Sequence, residues 1–405
     1  PPTYTIDLSL APEHRYDALI AAYRPQLQHL LPLFAEIAAE TGLSPRTAQR
    51  LAKLFLRRVG SKEQTRELRG ISRASGVGLE MLVAFNVLLD LFMGCTSGGV
   101  RVRDPDSAGA SAAPPTRMLH FRTLDWDMDA LRRVIVQLDF VRKPHGAVVA
   151  RAITYVGFVG VLTGVRRGLS MSLNFRPYHN DDASRVHNLR FWAHLALVLL
   201  GWRASVAAVL RQVLIPEEKE RHRRKHLHHR RLHSGHRKLD HHPPPPPQPS
   251  LQDIKTALPP TPSTAAYLIF SDGAETAVFE KDLRTAALRT SSEFIAVTNS
   301  DVPGAVACGG GGGGNAGRAK LVQLPLLRDM LAESDERREC MEAAWRRAET
   351  RFRRHRRHRG GHEEPYVHLE DVLRWLTAYP VANEATHLAA VLDPLRGEVV
   401  WCRFW

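Results

Sequence analysis

The spacing of apolar residues in this 405-residue chain changes near residue 95. Before that point they recur every three to four positions, as in Leu19, Ile20, Tyr23 and Leu27, which is typical of amphipathic helices. After it, short runs rich in β-branched and aromatic residues predict strands. The sequence therefore predicts an α+β protein in which a helical N-terminal part precedes a sheet that helices cover on more than one face.

The predicted elements follow this change along the chain. Predicted helices run from His14 to about Thr41, from Ser44, from Leu79 to Gly94, and over 190–214, 326–354 and 369–378. Predicted strands cover 4–10, 118–121, 134–140, 147–155, 158–162, 169–174, 265–270, 276–280 and 294–298, before a hairpin over 386–405. Low-complexity stretches at about 217–262, at 309–314 and in the Arg/His run ending near 362 predict loops.

The net charge of +14 is concentrated in two segments. Residues 219–238 hold nine Lys or Arg against one acid, and residues 346–359 hold eight Arg against one acid. The rest of the chain is close to neutral, which suits an enzyme acting on an uncharged or zwitterionic substrate. We therefore expect no nucleic acid partner, although a basic-segment binding protein stays open as an alternative.

Other site classes find little support in the sequence. The eight histidines between His222 and His242 alternate with Arg and Lys, which repel a cation, so we expect no metal site. The run Gly309–Gly314 lacks the Lys-Ser/Thr of a phosphate loop, and no cofactor is expected. The sequence contains no run of about 20 apolar residues, so it predicts no membrane span. The four cysteines all lie at or after Cys95.

Cys95 stands where helical spacing gives way to strands, and Thr-Ser-Gly-Gly follows it. A lone cysteine is usually a small buried apolar residue. Cleavage of the chain before Cys95 would instead create a thiol nucleophile beside an α-amine with a pKa of about 7.7 to 8.0, which can act as its base. The two pieces could not be disulfide-linked, because residues 1–94 contain no cysteine.

Several motifs occur in the order found in a known family. They are Cys95-Thr96-Ser97, Arg122-Thr123-Leu124-Asp125, the Gly-rich stretch 155–164, Val297-Thr298-Asn299-Ser300-Asp301 and Asp335-Glu336-Arg337-Arg338. Together they resemble the acid ceramidase and N-acylethanolamine-hydrolysing acid amidase family of amino-terminal-nucleophile hydrolases. Two departures are Phe175, where the family commonly has Glu, and Ser300, where it usually has Tyr.

The resemblance implies an αββα sandwich formed by two fragments of a self-cleaved chain. These are a helical α subunit, 1–94, and a catalytic β subunit, 95–405, with an insertion at about 217–262, held together non-covalently. The implied compartment is the lysosome, the vacuole or the secretory route, with the cytoplasm as the alternative. The implied substrates are lipid amides, either N-acylethanolamines or ceramide; an acylase for non-lipid amides on the same fold stays open.

The resemblance also implies roles for single residues. Cys95 is the nucleophile for self-cleavage after Gly94 and for amide hydrolysis. Asp125 orients the Cys95 amine, and Arg122 lowers the pKa of the thiol and holds the polar end of the substrate. Asn299 donates to the oxyanion, and Arg337 supports the site. The apolar side of the helix predicted over 190–214 is expected to be core, the lining of an acyl channel, or a peripheral membrane contact.

Overall fold

The computed structural model describes residues 1–30, 45–88, 94–103, 116–126, 128–181, 185–216, 248–302, 307–308, 317–320, 325–356 and 363–405. The helices are α1 (Asp17–His29), α2 (Pro45–Phe55), α3 (Lys62–Ser75), α4 (Leu79–Leu88), α5 (Arg185–Leu199), α6 (Val206–Leu214), α7 (Leu251–Ala257), α8 (Pro325–Arg356) and α9 (Leu369–Thr377). The strands are β1 (Thr3–Asp7), β2 (Gly94–Arg103), β3 (Thr116–Asp125), β4 (Ile135–Val141), β5 (Val148–Tyr155), β6 (Thr163–Arg166), β7 (Leu169–Phe175), β8 (Tyr178–Asp181), β9 (Ser263–Ser271), β10 (Thr276–Leu283), β11 (Thr285–Ser291), β12 (Phe294–Val297), β13 (Ala307–Cys308), β14 (Gly317–Lys320), β15 (Thr386–Asp393) and β16 (Glu398–Phe404).

Two large sheets pack face to face. The nine-stranded sheet has the order β1-β4-β5-β6-β7-β9-β10-β11-β13, and the five-stranded sheet has the order β12-β2-β3-β15-β16. The inner faces meet through apolar side chains and through His120 of β3, whose ring nitrogens lie 3.0 Å from the hydroxyl of Ser170 and 2.9 Å from that of Ser172 on β7. Near the N-terminal end of β2, the side chain of Cys95 points across the gap between the sheets, with its sulfur 3.9 Å from the carbonyl oxygen of Leu173 on β7.

Helices cover the outer face of each sheet, because each sheet has an apolar outer face to bury. Side chains of α1, α3, α4, α6 and α7 share one core cluster with the nine-stranded sheet. Met341 and Trp345 of α8 and Val372 and Leu376 of α9 pack on the five-stranded sheet in a second cluster. The layers are helix, sheet, sheet and helix, so the predicted α+β, αββα architecture is confirmed.

The N-terminal segment 1–88 is built into this sandwich as an integral part. Its strand β1 runs parallel to β4 at the edge of the nine-stranded sheet, with Thr3 opposite Gln137 and Asp7 opposite Val141. Its helices add Ile20, Leu68 and other buried residues to the larger core cluster. The predicted helix from Ser44 is confirmed as α2, whereas α3 was not predicted as a separate helix.

Three predicted elements are wrong in their bounds or type. Residues 158–162 form no strand: they follow a turn at Gly157 (φ 92°), and Val161 donates its backbone N–H to Ala207 on α6. The helix predicted over 190–214 is broken at Gly201 (φ 65°), where a Cβ would lie 2.2 Å from the carbonyl oxygen of Arg58. Part of the loop predicted over 217–262 is helical, because Ser250 and Asp253 form a capping box at the start of α7.

This break also changes the expected acyl channel. Phe191 is buried against the ring of His179, whereas Trp192 and Trp202 are 49% and 64% exposed. The apolar residues of 191–202 therefore do not form one continuous side of one helix. Residues 31–44, 89–93, 217–247 and 309–316, on which other parts of the predictions fall, lie outside the described residues.

Candidate active site

Cys95 is the second residue of β2 and is fully buried between the two sheets. In the ladder with β3, Gly94 lies opposite Asp125 and Cys95 lies opposite Leu124. The peptide bond between Gly94 and Cys95 is therefore fixed by strand pairing, next to a carboxylate. The sequence places a glycine here, and a Cβ at this position would lie 3.3 Å from the Cβ of Asp125.

The thiol of Cys95 lies beside a buried guanidinium. Nη2 of Arg122 is 3.3 Å from Sγ of Cys95. The carbonyl oxygen of Leu173 on β7 is 3.9 Å from the same sulfur. Nη1 of Arg122 donates to that same carbonyl at 2.7 Å and to Oδ1 of Asn174 at 2.8 Å. Partners on the facing sheet thus hold the guanidinium against the thiol.

The backbone nitrogen of Cys95 has its own side-chain partner. It donates to Oδ1 of Asn299 at 2.7 Å, and Nδ2 of Asn299 donates to the carbonyl of Phe175 at 2.8 Å. The backbone N–H of Asn299 donates to the hydroxyl of Ser334 on α8 at 2.8 Å. In the uncut chain, Asn299 therefore holds the nitrogen of the Gly94–Cys95 bond, a contact that differs from the oxyanion contact the resemblance implied.

Asp125 and Arg337 form the other side of the site. Oδ1 of Asp125 accepts a hydrogen bond from the hydroxyl of Thr386 at 2.7 Å, and Oδ2 lies 3.5 Å from Nη1 of Arg337. Within the described ranges, Oδ2 of Asp125 and Nη2 of Arg337 have no hydrogen-bond partner. Nη2 of Arg337 is 3.5 Å from the position that a Cβ of Gly94 would occupy, so this nitrogen lies beside the residue before Cys95.

Burial dominates the ionisation of the site. It raises the pKa of the Cys95 thiol; Arg122 and Arg337 act in the opposite direction, and Asp125 raises the pKa further. Burial also raises the pKa of Asp125, against the attraction of Arg337 and the hydrogen bond from Thr386. Arg122 does favour the thiolate as expected, but its effect is smaller than that of burial. The thiol of the uncut chain is therefore protonated and needs a base.

All five predicted site residues, Cys95, Arg122, Asp125, Asn299 and Arg337, come together in this one cluster. Sequence reasoning missed Thr386, Ser334 and the carbonyls of Leu173 and Phe175. Leu173 lies in the predicted strand 169–174 and Phe175 was noted as a departure from the family, but no spacing signal marks Thr386 or Ser334. In the part of the chain that the structure describes, no group of three or more His, Cys, Asp or Glu is placed to hold a metal ion.

The four layers, with a buried cysteine at the start of an inner strand, are the α+β sandwich arrangement that the resemblance implied. A family model described as the beta subunit of N-acylethanolamine-hydrolyzing acid amidase matches residues 1–59. Acid ceramidase of Mus musculus is 30% identical over 192 residues, which cover 43% of this chain and 45% of that protein. The N-acylethanolamine-hydrolyzing acid amidase of Caenorhabditis elegans is 30% identical over 190 residues, which cover 44% of this chain and 48% of that protein.

A solved structure, the C. elegans ortholog of N-acylethanolamine-hydrolyzing acid amidase, aligns with a TM-score of 0.45 at 17% identity, over 77% of this chain and 100% of that one. The chain spans a little under half the length of the curated relatives named above. The predicted resemblance is confirmed: over part of its length the chain is similar to acid ceramidases and N-acylethanolamine-hydrolysing acid amidases. The matched model describes a subunit and covers the first 59 residues of the predicted N-terminal fragment. The family model calls this subunit beta, whereas the resemblance implied the name α for the N-terminal fragment.

Proposed function

We propose that this chain cleaves itself between Gly94 and Cys95 and that the product hydrolyses lipid amides with Cys95 as the amino-terminal nucleophile. The observation that carries the proposal is that the thiol and the backbone nitrogen of Cys95 each have a polar side-chain partner. Its thiol lies 3.3 Å from Nη2 of Arg122, and its nitrogen is held at 2.7 Å by Asn299. A cysteine that only filled the core would need no guanidinium beside its thiol.

Self-cleavage starts with attack of the Cys95 sulfur on the carbonyl carbon of Gly94. The carbon–nitrogen bond then breaks, and the proton of the thiol passes to the departing nitrogen, which becomes the α-amine of Cys95. Residues 1–94 remain attached to the Cys95 sulfur through a thioester at Gly94. Water hydrolyses the thioester and restores the thiol. We propose that Asn299 fixes the departing nitrogen, because both ends of its amide are engaged in the uncut chain.

In the cleaved protein, the new α-amine of Cys95 accepts the thiol proton while sulfur attacks a substrate amide. Asp125 lies opposite Gly94 in the ladder, and its Oδ2 is available to accept a hydrogen bond from this amine. Arg122 stabilises the thiolate electrostatically, and Arg337 supports Asp125 from α8. The S-acyl enzyme is then hydrolysed by water.

The two fragments are proposed to stay together without a covalent link. Across the cut, the side-chain amide of Asn86 donates to the carbonyl of Gly157 and accepts from the N–H of Val159, both at 2.8 Å. Glu67, buried in α3, pairs with Arg211 of α6 at 3.1 Å. Together with the β1–β4 pairing, these contacts tie segment 1–88 to the rest of the chain.

The substrate class rests on the relatives, whose names are those of a ceramidase and an N-acylethanolamine-hydrolysing amidase. Exposed apolar side chains support access to lipid. Leu54 and Phe55 of α2 are exposed, as are Trp192 and Trp202, and the guanidinium of Arg58 lies 6.0 Å from the Trp202 ring. We propose that Trp202 and Arg58, with these other apolar side chains, rest on the surface of an anionic bilayer, from which substrate is taken. No helix within the described ranges is long and apolar enough to cross a membrane.

The proposal is tested by measuring amine release from N-acylethanolamines, ceramides and non-lipid amides presented in mixed micelles at mildly acidic pH. Wild type is compared with Cys95→Ala and with Cys340→Ala, a free cysteine on α8 that serves as the matched control. Release from lipid amides by wild type and the control alone is expected. Release from non-lipid amides only would instead favour the acylase, and release unaffected by Cys95→Ala would refute the proposed nucleophile.

A further inference from the structure

A bulge in β15 lies next to Asp125. Thr386 is opposite Asp125 and Leu388 is opposite Leu124, so His387 is an extra residue in β15 without a partner on β3. Such bulges re-aim the side chains on either side of them and are common beside active sites. Here the bulge allows Thr386 to bond the Asp125 carboxylate while His387 points to the facing sheet.

His387 is anchored on that facing sheet by a tyrosine. Its Nδ1 and the hydroxyl of Tyr155, the last residue of β5, are hydrogen-bonded at 2.8 Å, and both side chains are buried. Burial lowers the pKa of His387 to about 4, so above that pH the neutral ring can accept a hydrogen bond from the hydroxyl. Trp126 packs edge-on against Tyr155, with ring centroids 6.1 Å apart.

Backbone hydrogen bonds also hold the strand ahead of the bulge. Nη1 of Arg132 donates to the carbonyl of Thr386 at 2.5 Å, and the N–H of Trp126 donates to the carbonyl of Ala385 at 2.7 Å. Those bonds fix the backbone of residues 385 and 386, but they do not set the orientation of the His387 side chain. The Tyr155–His387 bond is a side-chain restraint on the bulge that links the two sheets.

We propose that Tyr155 and His387 are positioning residues: their bond holds the β15 bulge so that Thr386 binds Oδ1 of Asp125 and leaves Oδ2 for the Cys95 amine. This inference rests on the proposed function, because it gives Asp125 the task of orienting that amine. Neither Tyr155 nor His387 touches the reacting atoms. The path runs from Tyr155 through His387 and Thr386 to Asp125.

The Cys95 amine exists only after self-cleavage, so the test uses protein already split after Gly94. The measured quantity is kcat for cleavage of a lipid amide in Tyr155→Phe, Thr386→Val, Thr386→Ser and the Tyr155→Phe/Thr386→Val double variant. Tyr155→Phe keeps the ring and removes the hydroxyl. Loss of one hydrogen bond in the path predicts a kcat about tenfold lower in Tyr155→Phe and in Thr386→Val, while Thr386→Ser retains the hydroxyl and keeps kcat within about twofold of wild type. Because both variants disturb one path, the double variant is expected to be no slower than Thr386→Val.

Tyr16→Phe is the matched control, because it removes a buried hydroxyl that bonds Arg211 at 3.2 Å in the helical layer. It should lower the melting temperature without lowering kcat. A wild-type kcat in Tyr155→Phe, or losses of kcat that add in the double variant, would overturn the positioning path and leave the proposed function standing. A wild-type chain that neither cleaves itself nor hydrolyses amides would overturn the proposed function and this inference with it.

Discussion

The sharpest test of how the fragments hold together is the substitution Arg211→Met. The guanidinium of Arg211 bonds Glu67 at 3.1 Å, Tyr16 at 3.2 Å and the carbonyl of Val159 at 2.7 Å. The side chains of Glu67 and Arg211 are 0% and 7% exposed. Methionine keeps much of the apolar bulk but leaves the Glu67 carboxylate with only Arg15, which comes from its own N-terminal segment.

Removing one partner of a buried ion pair costs about 3 to 5 kcal/mol, because the other charge is left buried. Arg15 still pairs with Glu67 at 3.0 Å, so we expect the lower end of this range. Since each 1.4 kcal/mol is a factor of ten, the fragments of the cleaved protein should associate roughly 100-fold more weakly. The free energy of unfolding of an uncut Cys95→Ala chain should fall by a similar amount.

Two measurements check this expectation. Size-exclusion chromatography of the cleaved protein over a dilution series gives the concentration at which the fragments separate. Urea unfolding of the Cys95→Ala chain, with and without Arg211→Met, gives the loss of stability independently of cleavage. Arg346→Met, whose arginine is 64% exposed and pairs with Glu342, is the control and should change stability by less than about 1 kcal/mol. Arg211→Met fragments that separate no earlier than wild type, together with unchanged unfolding, would refute the reasoning.

Three further predictions concern the thiol, the acid limit of stability and the basic segment. Arg122→Lys should slow self-cleavage at least tenfold, because an ammonium cannot reach the thiol, Leu173 and Asn174 together as the guanidinium does. A time course of self-cleavage with an unchanged rate would contradict this. Burial lowers the pKa of His120 to about 3, so the imidazole takes up a proton chiefly after unfolding. The free energy of unfolding of wild type, measured by urea titration, should therefore fall more between pH 6.5 and 4 than that of His120→Gln. Parallel curves of unfolding free energy against pH would contradict this. Deletion of residues 219–238 should leave the cleavage rate unchanged, because no predicted site residue lies in this segment. Salt-sensitive RNA binding that the deletion abolishes, in a chain that does not cleave itself, would favour the basic-segment binding protein instead.

The site residues could be predicted from the sequence because each lies in a short motif whose order along the chain is informative. Cys95 marks the point where helical spacing ends, and Arg122 and Asp125 share one strand, so their spacing puts them near the start of β2 in an antiparallel ladder. Asn299 follows β12, which pairs with β2 on its other edge. Strand order thus carries local motifs to one place.

What the sequence could not supply are contacts made by tertiary packing. Gly201 breaks a continuous helical pattern because the backbone of Arg58 approaches it, a close contact that no local pattern reveals. Thr386 reaches Asp125 only because His387 bulges out of β15. The direction of the Asn299 amide depends on the carbonyl of Phe175 on β7, in the other sheet.

The most direct test of self-cleavage is the intact mass of purified wild-type protein beside Cys95→Ala and Cys340→Ala, each held at mildly acidic pH. Two masses that split between Gly94 and Cys95 are expected in wild type and in Cys340→Ala, with one full-length mass in Cys95→Ala. A single full-length mass in all three, over a range of pH and detergent, would contradict Cys95 as an amino-terminal nucleophile.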